Sequence, residues 1–250
     1  MVNSGPSATT EASLLSAARI STFDGQRPLT GASGFFFERE ERLYLVTSRH
    51  VFIDEPSKHF PDRIEIELHT DPDNLTRSIG LSMLLYREGR SVWRDGKDSG
   101  GEIDVAVLEI DRTALPERCV LRAFTPAHLP AAGRDRIEVG AALLIVGFPL
   151  GFHDLLHHLP VVRQAVIASS YGIRFQGKGY FLTDARTHRG TSGAPVLMRD
   201  ASPSAATQAL PWKLLGVHSS RMDIAGRDQV QDEALGLNCA WYADILLTLT

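Results

Sequence analysis

The chain has 250 residues, 43% of them hydrophobic and 22% charged, which suits a folded protein with a sizeable core and excludes collagen-like, coiled-coil and disordered classes. Its 26 basic and 30 acidic residues leave a net charge of -4, so the basic surplus that binds a phosphate backbone is missing and nucleic acid is not an expected partner. Two cysteines, Cys119 and Cys239, are too few for a disulfide scaffold; one bridge is open to them, and two buried free thiols in a reducing compartment is the simpler expectation.

The first twenty residues lack the basic start and apolar run of a signal peptide, and the expected location is cytoplasmic. Ser7–Ala18 reads as a short helix. From there the pattern is mostly period two, with strands expected at Gly34–Glu38, Arg42–Thr47, Arg63–Leu68, Ile79–Tyr86 and Ile103–Ile110. The glycine-rich run from Arg94 to Gly101 reads as a turn. Between Asp111 and Val139 three prolines interrupt any strand pattern, and this segment divides the strands into two sets. The second set is Ala141–Gly147, Val161–Ser169, Gly179–Thr183, Ala194–Met198 and Lys213–Ser219. Its most apolar run, Ala141–Val146, is much too short to cross a bilayer. Cys239–Leu249 reads as a helix, because Trp241, Ile245 and Leu249 recur at helical spacing. The chain ends in an apolar segment, as the first domain of a longer protein would. Many short strands separated by turns imply an all-β sandwich or barrel.

Three segments carry chemistry. His50 follows a strand in Leu45-Val46-Thr47-Ser48-Arg49-His50-Val51. Asp104 opens a very apolar strand in Glu102-Ile103-Asp104-Val105-Ala106-Val107-Leu108. Ser192 lies in a glycine-flanked turn, Gly190-Thr191-Ser192-Gly193-Ala194-Pro195. Singly each is bland: a loop histidine, a strand cap, a common turn composition. Together they supply a weak nucleophile, the base it needs, and the acid that fixes the base's tautomer.

In the order His, Asp, Ser, with 54 and 88 residues between them, the three segments resemble the trypsin-like serine peptidases of chymotrypsin fold. Thr183-Asp184-Ala185 before the serine, and the lack of a disulfide framework, resemble the bacterial HtrA-like branch, here without an appended PDZ domain. The resemblance covers roughly Gly31 to the C-terminus. It implies an all-β fold of two six-stranded antiparallel β-barrels with a short C-terminal helix. Residues 1–30 would be an extension and 31–118 the first barrel, with His50 and Asp104. Residues 119–139 would be a linker and 140–250 the second barrel, with Ser192. It implies a serine endopeptidase with His50, Asp104 and Ser192 catalytic and the backbone N–H groups of Gly190 and Ser192 forming the oxyanion hole. Thr191 stands where the zymogen-activated enzymes carry an aspartate, so assembly of the site would not need a newly cut N-terminus.

Thr187 and His218 resemble the pair with which glutamyl endopeptidases bind an acidic side chain. The resemblance thus implies Thr187, His218, Ser219 and Arg186 as substrate-binding residues and an acidic preference on the acyl side of the cut. Arg189 and Arg221 would add positive potential. Asp184 is expected to brace the loop beneath the serine, and Trp93, Trp212 and Trp241 to pack.

His153 and His157 stand four apart in His153-Asp154-Leu155-Leu156-His157-His158, a spacing that binds zinc on a helix. Pro149, Gly151 and Pro160 mark a loop instead, and no Glu or Cys pattern accompanies it. A loop lining the substrate cleft is expected, with no metal and no cofactor. The expected partners are a protein or peptide substrate and either a regulatory protein or a second copy of the chain, with no membrane. Two rival readings stay open: a catalytically silent peptidase-fold binding module, and an effector protease switched on by a partner.

Overall fold

The molecule is described by a computed structural model, which covers residues 10–131, 136–202, 210–219 and 236–250. Period-two burial builds most of it. Along Ala17–Asp24 the side chains of Ala18, Ile20 and Thr22 point inward, and along Arg63–His69 those of Ile64, Ile66 and Leu68 do the same, so each strand buries one face and wets the other.

The first half contains β1 (Ala17–Asp24), β2 (Arg27–Arg39), β3 (Arg42–Thr47), α1 (Arg49–Phe52), β4 (Arg63–His69), β5 (Ser78–Leu84), β6 (Tyr86–Arg87), β7 (Arg90–Ser91), β8 (Trp93–Asp98), β9 (Gly101–Ile110) and β10 (Ala123–Phe124). Seven of these run β5-β4-β1-β2-β3-β9-β8 in one sheet, and β10 joins it parallel to β2. The second half contains β11 (Ala142–Gly147), β12 (Val161–Ile167), β13 (Tyr180–Asp184), β14 (Pro195–Arg199), β15 (Trp212–Ser219), β16 (Leu237–Tyr242) and α2 (Leu246–Leu249). Its six strands close into an antiparallel barrel, β11-β12-β13-β16-β15-β14, which leaves no unpaired strand edge. Ala18, Ile20, Leu45 and Ile66 pack within the first sheet, and Leu143, Ile145, Phe181 and Val196 within the barrel. A third cluster joins Phe35, Phe37 and Val105 of the first half to Leu182, Leu214 and Trp241 of the second. The two β units therefore share buried surface and work as one body.

The architecture is mostly β with a short C-terminal helix, as the sequence implies, but several elements differ from expectation. The helix expected over Ser7–Ala18 is, from residue 10 on, a 3-10 turn at Leu14–Ser16 followed by β1. The chain extends there because β1 bonds to β2 on one side and β4 on the other. Cys239–Tyr242 is strand rather than helix; Cys239, Ala240 and Trp241 are all buried where β16 fits between β13 and β15. Only Leu246–Leu249 is α-helical. The presumed turn around Arg94 is the hairpin of β8 and β9, a charged edge strand of the kind that discourages pairing with other chains. This hairpin touches the barrel, where Lys178 Nζ donates to the Gly100 carbonyl at 2.8 Å and Arg174 bonds Asp98.

Neither cysteine is in a disulfide; Cys239 is buried, whereas Cys119, expected buried, is half-buried. Trp93 and Trp241 are buried in the core, and Trp212 lies beneath the guanidinium of Arg199.

Candidate active site

β3 ends at Thr47, and the chain turns at once into α1, the single helical turn that carries His50. β3 is paired with β9 so that Thr47 faces Ala106, which sets the N-terminal part of β9, with Asp104, beside that turn. Asp104 then receives three donors. The His50 backbone N–H reaches Oδ1 at 2.9 Å, His50 Nδ1 reaches Oδ2 at 2.8 Å, and Ser219 Oγ donates to Oδ2 at 2.9 Å. The His50 and Asp104 side chains are 17% and 19% exposed. Burial alone would raise the Asp104 pKa; the His50 imidazole and the hydrogen bonds from His50 and Ser219 outweigh it, so the carboxyl sits below the usual range. An ionised carboxylate only accepts. His50 Nδ1 therefore carries the proton and Nε2 keeps its lone pair, the tautomer of a general base.

Ser192 occupies the turn before β14, and the first sheet holds this turn from both sides. The Ser33 backbone N–H donates to the Ser192 carbonyl at 3.0 Å, and Ser33 Oγ donates to the Gly190 carbonyl at 2.7 Å. The same hydroxyl accepts the Phe148 N–H at 2.9 Å. Gly193 N–H donates to the His218 carbonyl at 2.8 Å, and Ser48 Oγ, two residues before His50, donates to that carbonyl at 3.3 Å. One carbonyl thus draws the histidine turn and the serine turn together. Both glycines are conformationally required. Gly190 and Gly193 have φ of +90° and +86°, and a Cβ on Gly193 would lie 2.2 Å from the Ser33 carbonyl oxygen.

The Arg189 carbonyl accepts the Leu150 N–H at 2.6 Å. Because a trans peptide sets its C=O and N–H on opposite sides, the Gly190 N–H is turned away from the Phe148–Gly151 loop. Leu150 has φ +54°, a strained value for a branched side chain. Thr191 is buried, and its hydroxyl has no partner among the described residues; a threonine before Ser192 brings no carboxylate for an ion pair.

The remaining candidates fall into two groups. His218 is fully buried on β15, and neither ring nitrogen has a hydrogen-bond partner among the described residues. Burial, and secondarily the nearby His50, push its pKa down to about 3, which keeps the imidazole neutral. Thr187 Oγ1 donates to Asn238 Oδ1 at 2.6 Å, and Asn238 adjoins Cys239, which is paired with Ser219. Ser219 turns its hydroxyl to Asp104. Arg186 is exposed, and its carbonyl accepts the Arg163 guanidinium; Arg189 is exposed too. Arg221 lies outside the described residues. Asp184, expected to brace the serine loop, is exposed at the end of β13. Sequence reasoning missed Ser33 and Leu150. The small-residue run Gly31-Ala32-Ser33-Gly34, a mark of close backbone approach, was the available signal for Ser33.

Residues 32–202 match the family model of the trypsin-like peptidase domain. No curated protein matches the chain in sequence. Among solved structures, it is similar to Rv3671c from M. tuberculosis H37Rv, an inactive serine-to-alanine mutant, at 15% identity and TM-score 0.51 over 95% of this chain and 87% of that one. It is also similar to the serine endoprotease from Yersinia pestis, at 16% identity and TM-score 0.52 over 98% of this chain and 65% of that one. At such identities the likeness concerns the fold.

Proposed function

The chain belongs to the trypsin-like peptidase family, and from that premise we propose that it is a serine endopeptidase working through Ser192, His50 and Asp104. The observation that carries this reading is the two-point clamp of Asp104 on the His50 ring and backbone, brought to the Ser192 turn through the shared His218 carbonyl. Ser192 Oγ attacks the peptide carbonyl as His50 Nε2 takes its proton. The resulting imidazolium is stabilised by Asp104 and returns the proton to the leaving amine, and water then hydrolyses the acyl-enzyme by the same route. The Gly190 and Ser192 N–H groups bind the developing oxyanion; the Leu150–Arg189 bond supports this by turning the Gly190 N–H away from the neighbouring loop. Ser192→Ala removes turnover of a peptide substrate by at least ~10⁴-fold and abolishes labelling by a fluorophosphonate probe. Unchanged proteolysis in that variant would overturn the assignment.

We further propose that the acyl-side pocket prefers an acidic residue, and the orphan His218 supports this reading. An unpaired buried polar atom costs about 1–3 kcal/mol, and a substrate carboxylate is a group that both supplies the missing partner and charges the ring. Thr187, bonded to Asn238 on the strand paired with β15, and the exposed Arg186 complete the proposed pocket. Cleavage-site profiling on a denatured proteome tests this. Glu or Asp enriched on the acyl side supports it, and small apolar residues enriched there remove it.

A further inference from the structure

The histidine-rich segment after Leu150 plays no part in the proposed chemistry. No Glu or Cys pattern accompanies it in sequence, yet the fold supplies a glutamate from 86 residues upstream of His153. Glu67 on β4, His153 and His158 each place one ligand atom within 4.8 Å of the other two, and all three are half-buried. We propose that Glu67, His153 and His158 form a zinc site that ties the second-barrel loop to the edge region of the first sheet.

The surrounding bonds suit this role. His153 Nδ1 lies 2.6 Å from the Gly151 carbonyl. A carbonyl only accepts, so Nδ1 carries the proton and Nε2 is left with the lone pair a metal needs. A ligating imidazole oriented through its other nitrogen by a backbone carbonyl is a recurrent arrangement at zinc sites. His158 Nδ1 faces Glu67 Oε1 at 2.8 Å, so metal replaces a proton shared between two ligands. Glu67 is held in turn by Ser78 Oγ at 2.8 Å and by Arg19 at 3.0 Å. Those bonds fix the carboxylate's direction. Two imidazoles and one carboxylate, with a position open to water, suit Zn²⁺; Mg²⁺ and Ca²⁺ take all-oxygen sets. The nearby Arg19 charge opposes the cation, so the expected affinity is micromolar rather than that of a closed structural site.

The site has a structural consequence. The Gly151 carbonyl that orients His153 adjoins Leu150, whose N–H holds the Arg189 carbonyl beside the Ser192 turn. Zinc bound here fixes the loop that braces that turn.

Calorimetric titration of the full chain with Zn²⁺ tests the site and is independent of peptidase activity. One ion per chain is expected, with affinity lowered roughly tenfold or more in His153→Ala and in Glu67→Gln and unchanged in His50→Ala. Circular dichroism melts without metal check that both variants stay folded, and added Zn²⁺ raises the melting temperature of the wild type and of His50→Ala more than that of either site variant. The proposal is overturned if no saturable site is found, or if His153→Ala and Glu67→Gln bind Zn²⁺ as tightly as the wild type. Loss of binding in His50→Ala with both variants intact would equally overturn it.

Discussion

Asp104, half-buried, and His218, fully buried, are both titratable groups near His50, and their surroundings are opposite. Asp104 accepts three hydrogen bonds, two from His50 and one from Ser219. Among the described residues, neither nitrogen of His218 has a partner. Saturation keeps one group ionised and locked in direction, and starvation keeps the other neutral. A satisfied buried group organises its neighbours, whereas an unsatisfied one is a standing cost that an incoming ligand removes.

The sharpest way to break this contrast is to remove the charge of Asp104 while keeping its shape. Asn at this position still fills the space, but its amide can donate to His50 and favour the wrong imidazole tautomer. Asp104→Asn is expected to lower kcat by roughly 10⁴-fold with little change in KM, measured on a chromogenic peptide. A loss below about tenfold would show that the carboxylate does not set the state of His50.

Acid separates the two groups by range. The His218 pKa is lowered in the folded state to about 3. The native chain therefore binds fewer protons than the unfolded one, and stability falls as pH drops from near 6.5 towards 3. The full effect is on the order of 5 kcal/mol. Asp104, also lowered, has the same sign, but its contribution is lost only below the unfolded carboxylate value of about 3.9. Urea unfolding between pH 7 and pH 4 should therefore report chiefly His218, with a smaller share from His128, whose pKa burial also lowers. Stability that stays flat over that window would mean that the imidazole is not neutral and buried.

His218→Leu replaces the orphan ring by an apolar side chain. The variant is expected to gain about 1–2 kcal/mol at pH 7 and to lose most of the decline between pH 7 and pH 4. On the proposed specificity, its kcat/KM for a Glu substrate should fall by roughly 10²-fold relative to an Ala substrate. Equal selectivity in the variant and the wild type would detach His218 from the pocket and leave it as a buried ring.

His50, Asp104 and Ser192, the proposed triad, stand out in the sequence because each sits in a short motif with its own local logic: a strand end, a strand start, a glycine turn. The supports were not. Ser33 meets Gly190 from 157 residues away, and Glu67 meets His158 across the seam between the two β units, so no spacing rule connects them. Strand β1 escaped because its inward residues include Ala18 and Thr22, which carry little hydrophobic signal. β8 escaped because charges on an edge strand look like a turn. Around Cys239 the helical and strand periods both fitted, and burial on two faces decided for the strand.

The smallest expected effect sharpens the comparison from the saturated side. Ser219 provides one of the three bonds to Asp104, and its removal leaves the two from His50. A net hydrogen bond to a charged group is worth about 1.5–3 kcal/mol, but the ring and backbone donors remain, so the carboxylate stays oriented. Ser219→Ala is therefore expected to raise the Asp104 pKa and to lower kcat by only about three- to tenfold. If Ser219 served substrate alone, the change would appear in KM with kcat unmoved. If it serves Asp104, kcat falls with KM little changed, because the carboxylate then holds His50 less firmly. The division of the loss between kcat and KM in the Ser219→Ala chain thus decides between a donor to the carboxylate and a donor to the substrate.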